Sequence, residues 1–286
     1  MIDRPTAILF PGQGSQVPGM RDLVEEVRPD LLELVGEALG CDPFERVDES
    51  TRFAQPAIFC ASLAGWELVR ATEFPVAMAG HSLGELTALV AAGAIDEADG
   101  VRLACARGRF MAEAADQVPG AMVALRASLE QAEELVADSE VVVANHNAPQ
   151  QVVVSGPEAA VATLETRLEE RGVGNRRLPV RGAFHSPLMA EAARCFAEEL
   201  ARVDLRQPGV PVIACATGRP FADIQTELAE AIVRPVRFVG VVEELRARGV
   251  ERFVEVGPGR VLSGLVRRID GSLEVVGPPT PEVVDG

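Results

Sequence analysis

Two short apolar runs each end in a glycine-rich turn, and that arrangement restricts the fold more than any other feature of the chain. Residues 6–10 (TAILF) run into Pro11-Gly12-Gln13-Gly14-Ser15-Gln16, and residues 74–79 (FPVAMA) run into Gly80-His81-Ser82-Leu83-Gly84-Glu85. An Ala- and Leu-rich helical pattern follows the second turn at 83–92. Strand, tight turn and helix in succession form the unit of a mostly parallel sheet with helices on both faces. In such sheets functional residues gather at the carboxyl ends of the strands, where both turns fall.

The alternation continues on either side of a different kind of segment. Helical patterns lie at 21–39 and 55–71, and another at 96–116. Strand 121–125, helix 128–138, strand 141–145, strand 151–155, helix 157–171 and strand 174–178 then follow in the order of a small ferredoxin-like unit. Helix 187–202, strand 211–215, helices near 223–234 and 238–248, strand 252–256 and a helix at 259–268 restore the α/β pattern. The small unit therefore reads as an insertion. The expected organisation is a large subdomain in two parts (1–120 and 181–272), a small subdomain at 121–180, and a loose tail over 273–286, which contains Gly277-Pro278-Pro279.

Composition removes several function classes. A 286-residue chain that is 48% hydrophobic supports one large domain or a main domain with a smaller one. It has 27 basic and 43 acidic residues, no Tyr and one Trp, which argues against nucleic-acid binding. Five widely spaced cysteines, Cys41, Cys60, Cys105, Cys195 and Cys215, include no CxxC pair. That fits a reduced protein with neither a disulfide framework nor a zinc site. No apolar run reaches the roughly 20 residues a membrane span needs, and the N-terminus lacks the apolar stretch of a signal peptide. The expectation is a soluble, cytoplasmic protein.

Ser82 sits between two glycines at a strand-to-helix junction, the setting of a serine nucleophile on a tight turn. The helix beginning at Leu83 directs backbone N–H groups and the positive end of its dipole at that position. The alternative is an ordinary tight turn with an exposed serine. A nucleophilic serine needs a base, and the chain has three histidines. His81 adjoins Ser82 and should point away from its hydroxyl. His146 lies inside the small unit. His185 lies in the loop where the small unit rejoins the large one, which makes it the candidate, with a structural role as the alternative. No carboxylate third member follows from spacing. In helix 96–116, Arg107 has Leu103, Ala104, Phe110 and Met111 three and four positions away, so it lies toward an apolar stripe. Such a guanidinium wants a carboxylate or phosphate, from a ligand or from a buried structural partner.

These residues together resemble malonyl-CoA:acyl carrier protein transacylases, the family that includes the acyltransferases of fatty acid and polyketide synthases. The matching stretches are FPGQGSQ (10–16), GHSLGE (80–85), RGRFM (107–111), NHNAPQQVVVSG (145–156), AFHSPLM (183–189), PVRF (235–238) and VEVGPGRVL (254–262). The resemblance implies an α/β-hydrolase-like large subdomain with an inserted ferredoxin-like one. It implies a ping-pong transfer of malonyl from malonyl-CoA to the phosphopantetheine thiol of an acyl carrier protein, with no cofactor of its own. By the same resemblance, Ser82 is the nucleophile, His185 the base, Gln13 and the Leu83 N–H the oxyanion hole, Arg107 the ligand of the malonyl carboxylate and Gln55 a neighbour of the site. Phe184, before the histidine, implies malonyl rather than methylmalonyl. Gly182 departs from the histidine that malonyl-type polyketide domains often carry there. Arg237 stands where a glutamine is common, at the position whose backbone carbonyl is held to orient the base. The family is mostly monomeric. A carrier is acidic and so is this chain, so docking would fall on a basic patch at Arg176, Arg177 and Arg181 or at Arg267 and Arg268. An acyl hydrolase that edits acyl carrier proteins and a transacylase for a substituted malonyl group are the alternative activities.

Overall fold

The structure, a computed structural model, describes residues 4–280. Its strands are β1 (Thr6–Phe10), β2 (Ala77–Gly80), β3 (Gly120–Leu125), β4 (Val142–Ala148), β5 (Gln151–Pro157), β6 (Asn175–Arg177), β7 (Val212–Ala214), β8 (Arg219–Pro220), β9 (Arg252–Glu255) and β10 (Glu274–Val276). Six form one sheet in the order β10-β9-β1-β2-β7-β8, parallel except for the β7–β8 pair. All five residues of β1 are buried. Its period-two pleat splits them between two apolar layers. Ile8 and Phe10 join Ile58, Phe59, Val101 and Ala104 on one face. Ala7 and Leu9 join Val241, Leu245, Leu262 and Leu265 on the other. With both faces covered, the strand is a continuous apolar run rather than an alternating one.

The other four strands form a separate antiparallel sheet in the order β4-β5-β3-β6, the ferredoxin-like order. One face buries Val123, Val152 and Val154 with Ala132, Leu135, Val161 and Leu164 of its own two helices. The other face turns Met122 and Val153 into the main core. Edge strand β4 is also stitched to the large part. His146 N–H donates to Val236 O at 2.8 Å, and Val236 N–H donates to Ala144 O at 2.8 Å.

Several elements differ from the sequence expectation. The helix expected over 21–39 is two, Met20–Val27 and Pro29–Leu39. Proline has no N–H to donate and fits the first helical turn, so Pro29 starts the second helix instead of continuing the first. The helix expected from 187 begins as a 3-10 turn, Pro187–Met189, before Ala190–Leu200. The tail expected to be loose from 273 instead supplies β10, which pairs with β9 in register Glu274↔Arg252. Arg252 binds Glu73 at 2.6 Å and approaches Glu274 at 3.4 Å, tying that strand's start to the sheet. Residues 281–286 of that tail lie outside the described residues. Among the arginines expected to dock a carrier, Arg177 is held in ion pairs with Glu158 and Glu165. Arg176, Arg181, Arg267 and Arg268 have no carboxylate within 4.0 Å among the described residues, and Arg268 donates to Gln151. No helix among the described residues is long and apolar enough to cross a membrane, and no cluster of His, Cys, Asp or Glu there suits a metal ion.

Candidate active site

Strands β1 and β2 are neighbours with Phe10 opposite Gly80, so the two glycine turns emerge side by side. The second turn is closed by His81 N–H donating to Phe10 O, Gly84 N–H to His81 O and Glu85 N–H to Ser82 O, each at 3.0 Å. A Cβ on Gly80 would lie 1.8 Å from Gly84 C, and one on Gly84 would lie 2.0 Å from Phe10 O, so neither position admits a side chain. Ser82 pays for this compactness with φ 55° and ψ −108°. Among the described residues, only Ser82 and His185 are non-glycine residues at positive φ. Such backbone costs about 1–3 kcal/mol and persists only where the surroundings over-determine it. Both strained residues belong to one hydrogen bond.

Ser82 Oγ lies 2.8 Å from His185 Nε2. His185 Nδ1 faces two backbone carbonyls, Ala231 O at 2.9 Å and Arg234 O at 3.0 Å. Carbonyls only accept, so Nδ1 carries the hydrogen and Nε2 presents its lone pair to the serine O–H. The two carbonyls orient the ring where a carboxylate would otherwise serve. The position implied for that task, the carbonyl of Arg237, is otherwise engaged: it accepts Val241 N–H at 3.1 Å in the helix Phe238–Ala247. The segment arriving at that helix passes its earlier carbonyls, not its last one, beside the imidazole.

Burial first, and the charges of Arg107 and His81 after it, lower the His185 pKa to about 3, against the pull of the two carbonyls. The sign of the consequence is definite. An unfolded histidine takes up a proton near pH 6.5, and the folded one refuses it until about pH 3. The contribution of this residue to stability is therefore complete above pH 6.5 and shrinks as the pH falls below it. The base form persists in the folded protein throughout that window. Acylation of Ser82, read by quenched-flow mass spectrometry, should hold its neutral rate at pH 5.5. An inflection in the rate near pH 6.5 would show that the His185 pKa is not lowered.

Arg107, on the helix Glu97–Gln117, is 2% exposed. Its Nη1 donates to Gln55 Oε1 at 2.6 Å, and its Nη2 donates to Ser82 Oγ at 3.2 Å. Burial lowers its pKa to about 10, with Glu85 opposing the shift. No carboxylate among the described residues lies within 4.0 Å of it, so the structural ion pair that the sequence left open is absent there. The polar groups continue in one chain. Gln55 Nε2 donates to Thr51 Oγ1 at 2.8 Å, and Thr51 Oγ1 donates to Gln13 Oε1 at 2.7 Å. Gln13, Gln55, Ser82, Leu83, Arg107, Phe184 and His185 all line one cavity of about 160 Å³. The backbone N–H groups of Gln13 and Leu83 have no acceptor among the described residues. Met122, Asn145, Asn147 and Val153 of the small sheet roof the same cavity.

Phe184 is buried and also walls a neighbouring hollow of about 670 Å³. Gly182 explains its own departure from the histidine expected there. A Cβ at that position would lie 2.8 Å from the Phe184 ring and 2.8 Å from Ala115 Cβ, at φ +134°. Sequence reasoning did not single out Thr51, Asn145 or Asn147. Both asparagines lay inside the NHNAPQQVVVSG stretch, whereas Thr51 carries no local signal. His81 Nε2–H donates to Asn147 Oδ1 on β4 at 2.8 Å. His81 thereby occupies its ring away from the serine.

Comparison with known proteins bears on this geometry. The family model described as an acyl transferase domain matches residues 41–274. The chain is 39% identical to the malonyl CoA-acyl carrier protein transacylase of Bacillus subtilis, covering 98% of this chain and 95% of that protein. It is 41% identical to the polyketide biosynthesis protein ThaF of Burkholderia thailandensis, covering 92% of this chain but only 24% of that longer protein. A malonyl-transacylase solved in complex with its type II PKS acyl-carrier protein superposes with a TM-score of 0.91, at 32% identity and 98% coverage of each chain.

Proposed function

The chain belongs to the acyltransferase family of malonyl-CoA:acyl carrier protein transacylases, and from that premise we propose that it moves a malonyl group from malonyl-CoA to an acyl carrier protein through an ester on Ser82. The observation that carries the substrate assignment is Arg107. It is buried, without a carboxylate within 4.0 Å among the described residues, and in contact with the serine oxygen. Its fork can take the distal carboxylate of malonyl in two parallel hydrogen bonds while the thioester carbonyl sits at Ser82. An editing hydrolase has no comparable use for it.

In the first half-reaction, Ser82 Oγ attacks the thioester carbonyl carbon as its proton passes to His185 Nε2. The carbonyl oxygen becomes an oxyanion, met by the free N–H groups of Gln13 and Leu83. As the C–S bond breaks, the imidazolium proton goes to the coenzyme A sulfur. In the second half-reaction the carrier's pantetheine thiol gives its proton to His185, attacks the Ser82 ester and leaves with the malonyl group. Ser82 recovers its proton from the imidazolium.

Phe184 limits substitution at the acyl C2, because its ring stands between the cavity and the neighbouring hollow. Intact-mass analysis after incubation with a panel of acyl-CoAs tests the whole assignment. The expected result is a gain of one malonyl group, discharged on addition of a holo carrier protein. Release of free malonate without transfer to the carrier would support the hydrolase instead. In the same panel, Phe184→Ser should raise the methylmalonyl-to-malonyl ratio by about tenfold, the scale of one methyl in a pocket. An unchanged ratio would remove Phe184 from the selectivity argument.

A further inference from the structure

Glu85 is a carboxylate in the first turn of the helix Leu83–Ala91, three residues after Ser82, and it is 1% exposed. No ion pair within 4.0 Å accounts for it among the described residues. Its Oε1 accepts the backbone N–H of Cys215 at 2.7 Å, and its Oε2 is buried without a partner. Cys215 follows β7 and uses all of its polar groups. Its Sγ–H donates to Gly80 O at 2.9 Å, on the strand side of the serine turn. Its N–H meets Glu85 on the helix side. Its carbonyl accepts Arg237 N–H at 3.0 Å. Arg237 ends the segment whose Ala231 and Arg234 carbonyls hold the His185 ring. One residue thus touches the serine turn before and after Ser82, and touches the segment that aims the base.

We propose that Glu85 is a positioning residue, which together with Cys215 forms a bracket that registers the strained Ser82 turn against the histidine-holding segment 231–237. The inference rests on the reading of Ser82 and His185 as nucleophile and base. Positive-φ backbone at both residues is stable only under external constraint. The bracket supplies that constraint from residues that do not line the cavity. Burial raises the Glu85 carboxyl to about 7. Either protonation form keeps an acceptor oxygen for Cys215 N–H.

Single-turnover malonylation of Ser82 tests this in four full-length variants. Glu85→Leu removes the acceptor at similar volume. Its rate should fall by about tenfold, the equivalent of about 1.4 kcal/mol in the barrier, with the KM for malonyl-CoA unmoved. Glu85→Gln keeps an acceptor oxygen and should retain most of the wild-type rate. Thr87→Val alters a buried, unpartnered hydroxyl on the same helix without touching the bracket, and should leave the rate intact. A wild-type rate in Glu85→Leu would overturn the proposal. So would a Glu85→Gln rate as low as that of Glu85→Leu, or an equal loss in Thr87→Val at the same fall in Tm. His185→Ala is the benchmark: if it acylates normally, the underlying reading fails and the bracket with it, whereas the other three outcomes sink the bracket alone.

Discussion

Ser82→Ala should take up no malonyl group, and transfer to the carrier should fall at least about ten-thousandfold, with His185→Ala close behind. The two losses should not add. The serine O–H has one acceptor for its proton, His185 Nε2 at 2.8 Å, and the ring is locked in the accepting tautomer by two carbonyls. Removing either member abolishes the same step, so the double variant should resemble Ser82→Ala. Intact mass after exposure to malonyl-CoA gives the direct measurement. A malonyl adduct that persists in Ser82→Ala would refute the serine ester. Product formation without an adduct in the wild type would point to direct transfer between the two thiols.

Arg107→Ala should divide the substrates. Malonylation should drop by roughly a hundredfold to a thousandfold, because truncating one partner of a desolvated, hydrogen-bonded charge pair costs about 2–5 kcal/mol. Acetyl-CoA carries no distal carboxylate, so its much slower acylation should change little. The variant also removes a donor from Ser82 Oγ and leaves Gln55 Oε1 without its 2.6 Å partner. If acetyl and malonyl transfer fell together, the arginine would be a structural support of the serine and the substrate assignment would lose its basis. Steady-state rates with both thioesters, each checked against thermal stability, separate the two results.

Much of this site could be read before any coordinates. GHSLGE marked a compact strand-to-helix turn because only glycine tolerates the approach now seen at Gly80 and Gly84. Elimination among three histidines left His185. The helical period placed Arg107 toward apolar neighbours, and in the fold Arg107 is buried. What stayed hidden has a common cause. The groups that orient His185 are backbone carbonyls of Ala231 and Arg234, and every residue carries such a carbonyl, so no side-chain signature could announce them. Thr51, at a position no local pattern distinguishes, reaches Gln13 across 38 residues of chain and also accepts from Gln55. β10 was hidden for a related reason. Three residues before a proline-rich end look loose until an open sheet edge is available to pair them.

The chain by itself determined the class of fold and put forward Ser82 and His185 as the candidate pair, because these depend on residue type and short-range spacing. Glycines that permit a tight turn, apolar runs of strand length and a single eligible histidine are local properties. Tertiary structure decided how the pair is held and what it can take. It brought residue 185 within 2.8 Å of residue 82, denied Arg107 a carboxylate among the described residues and set the small sheet over the cavity. It also bound the serine turn to the histidine's support through Glu85 and Cys215, 130 residues apart. Distances of that kind arise from packing among elements remote in sequence, and the desolvation that drives His185 down to about pH 3 exists only once those elements close around it.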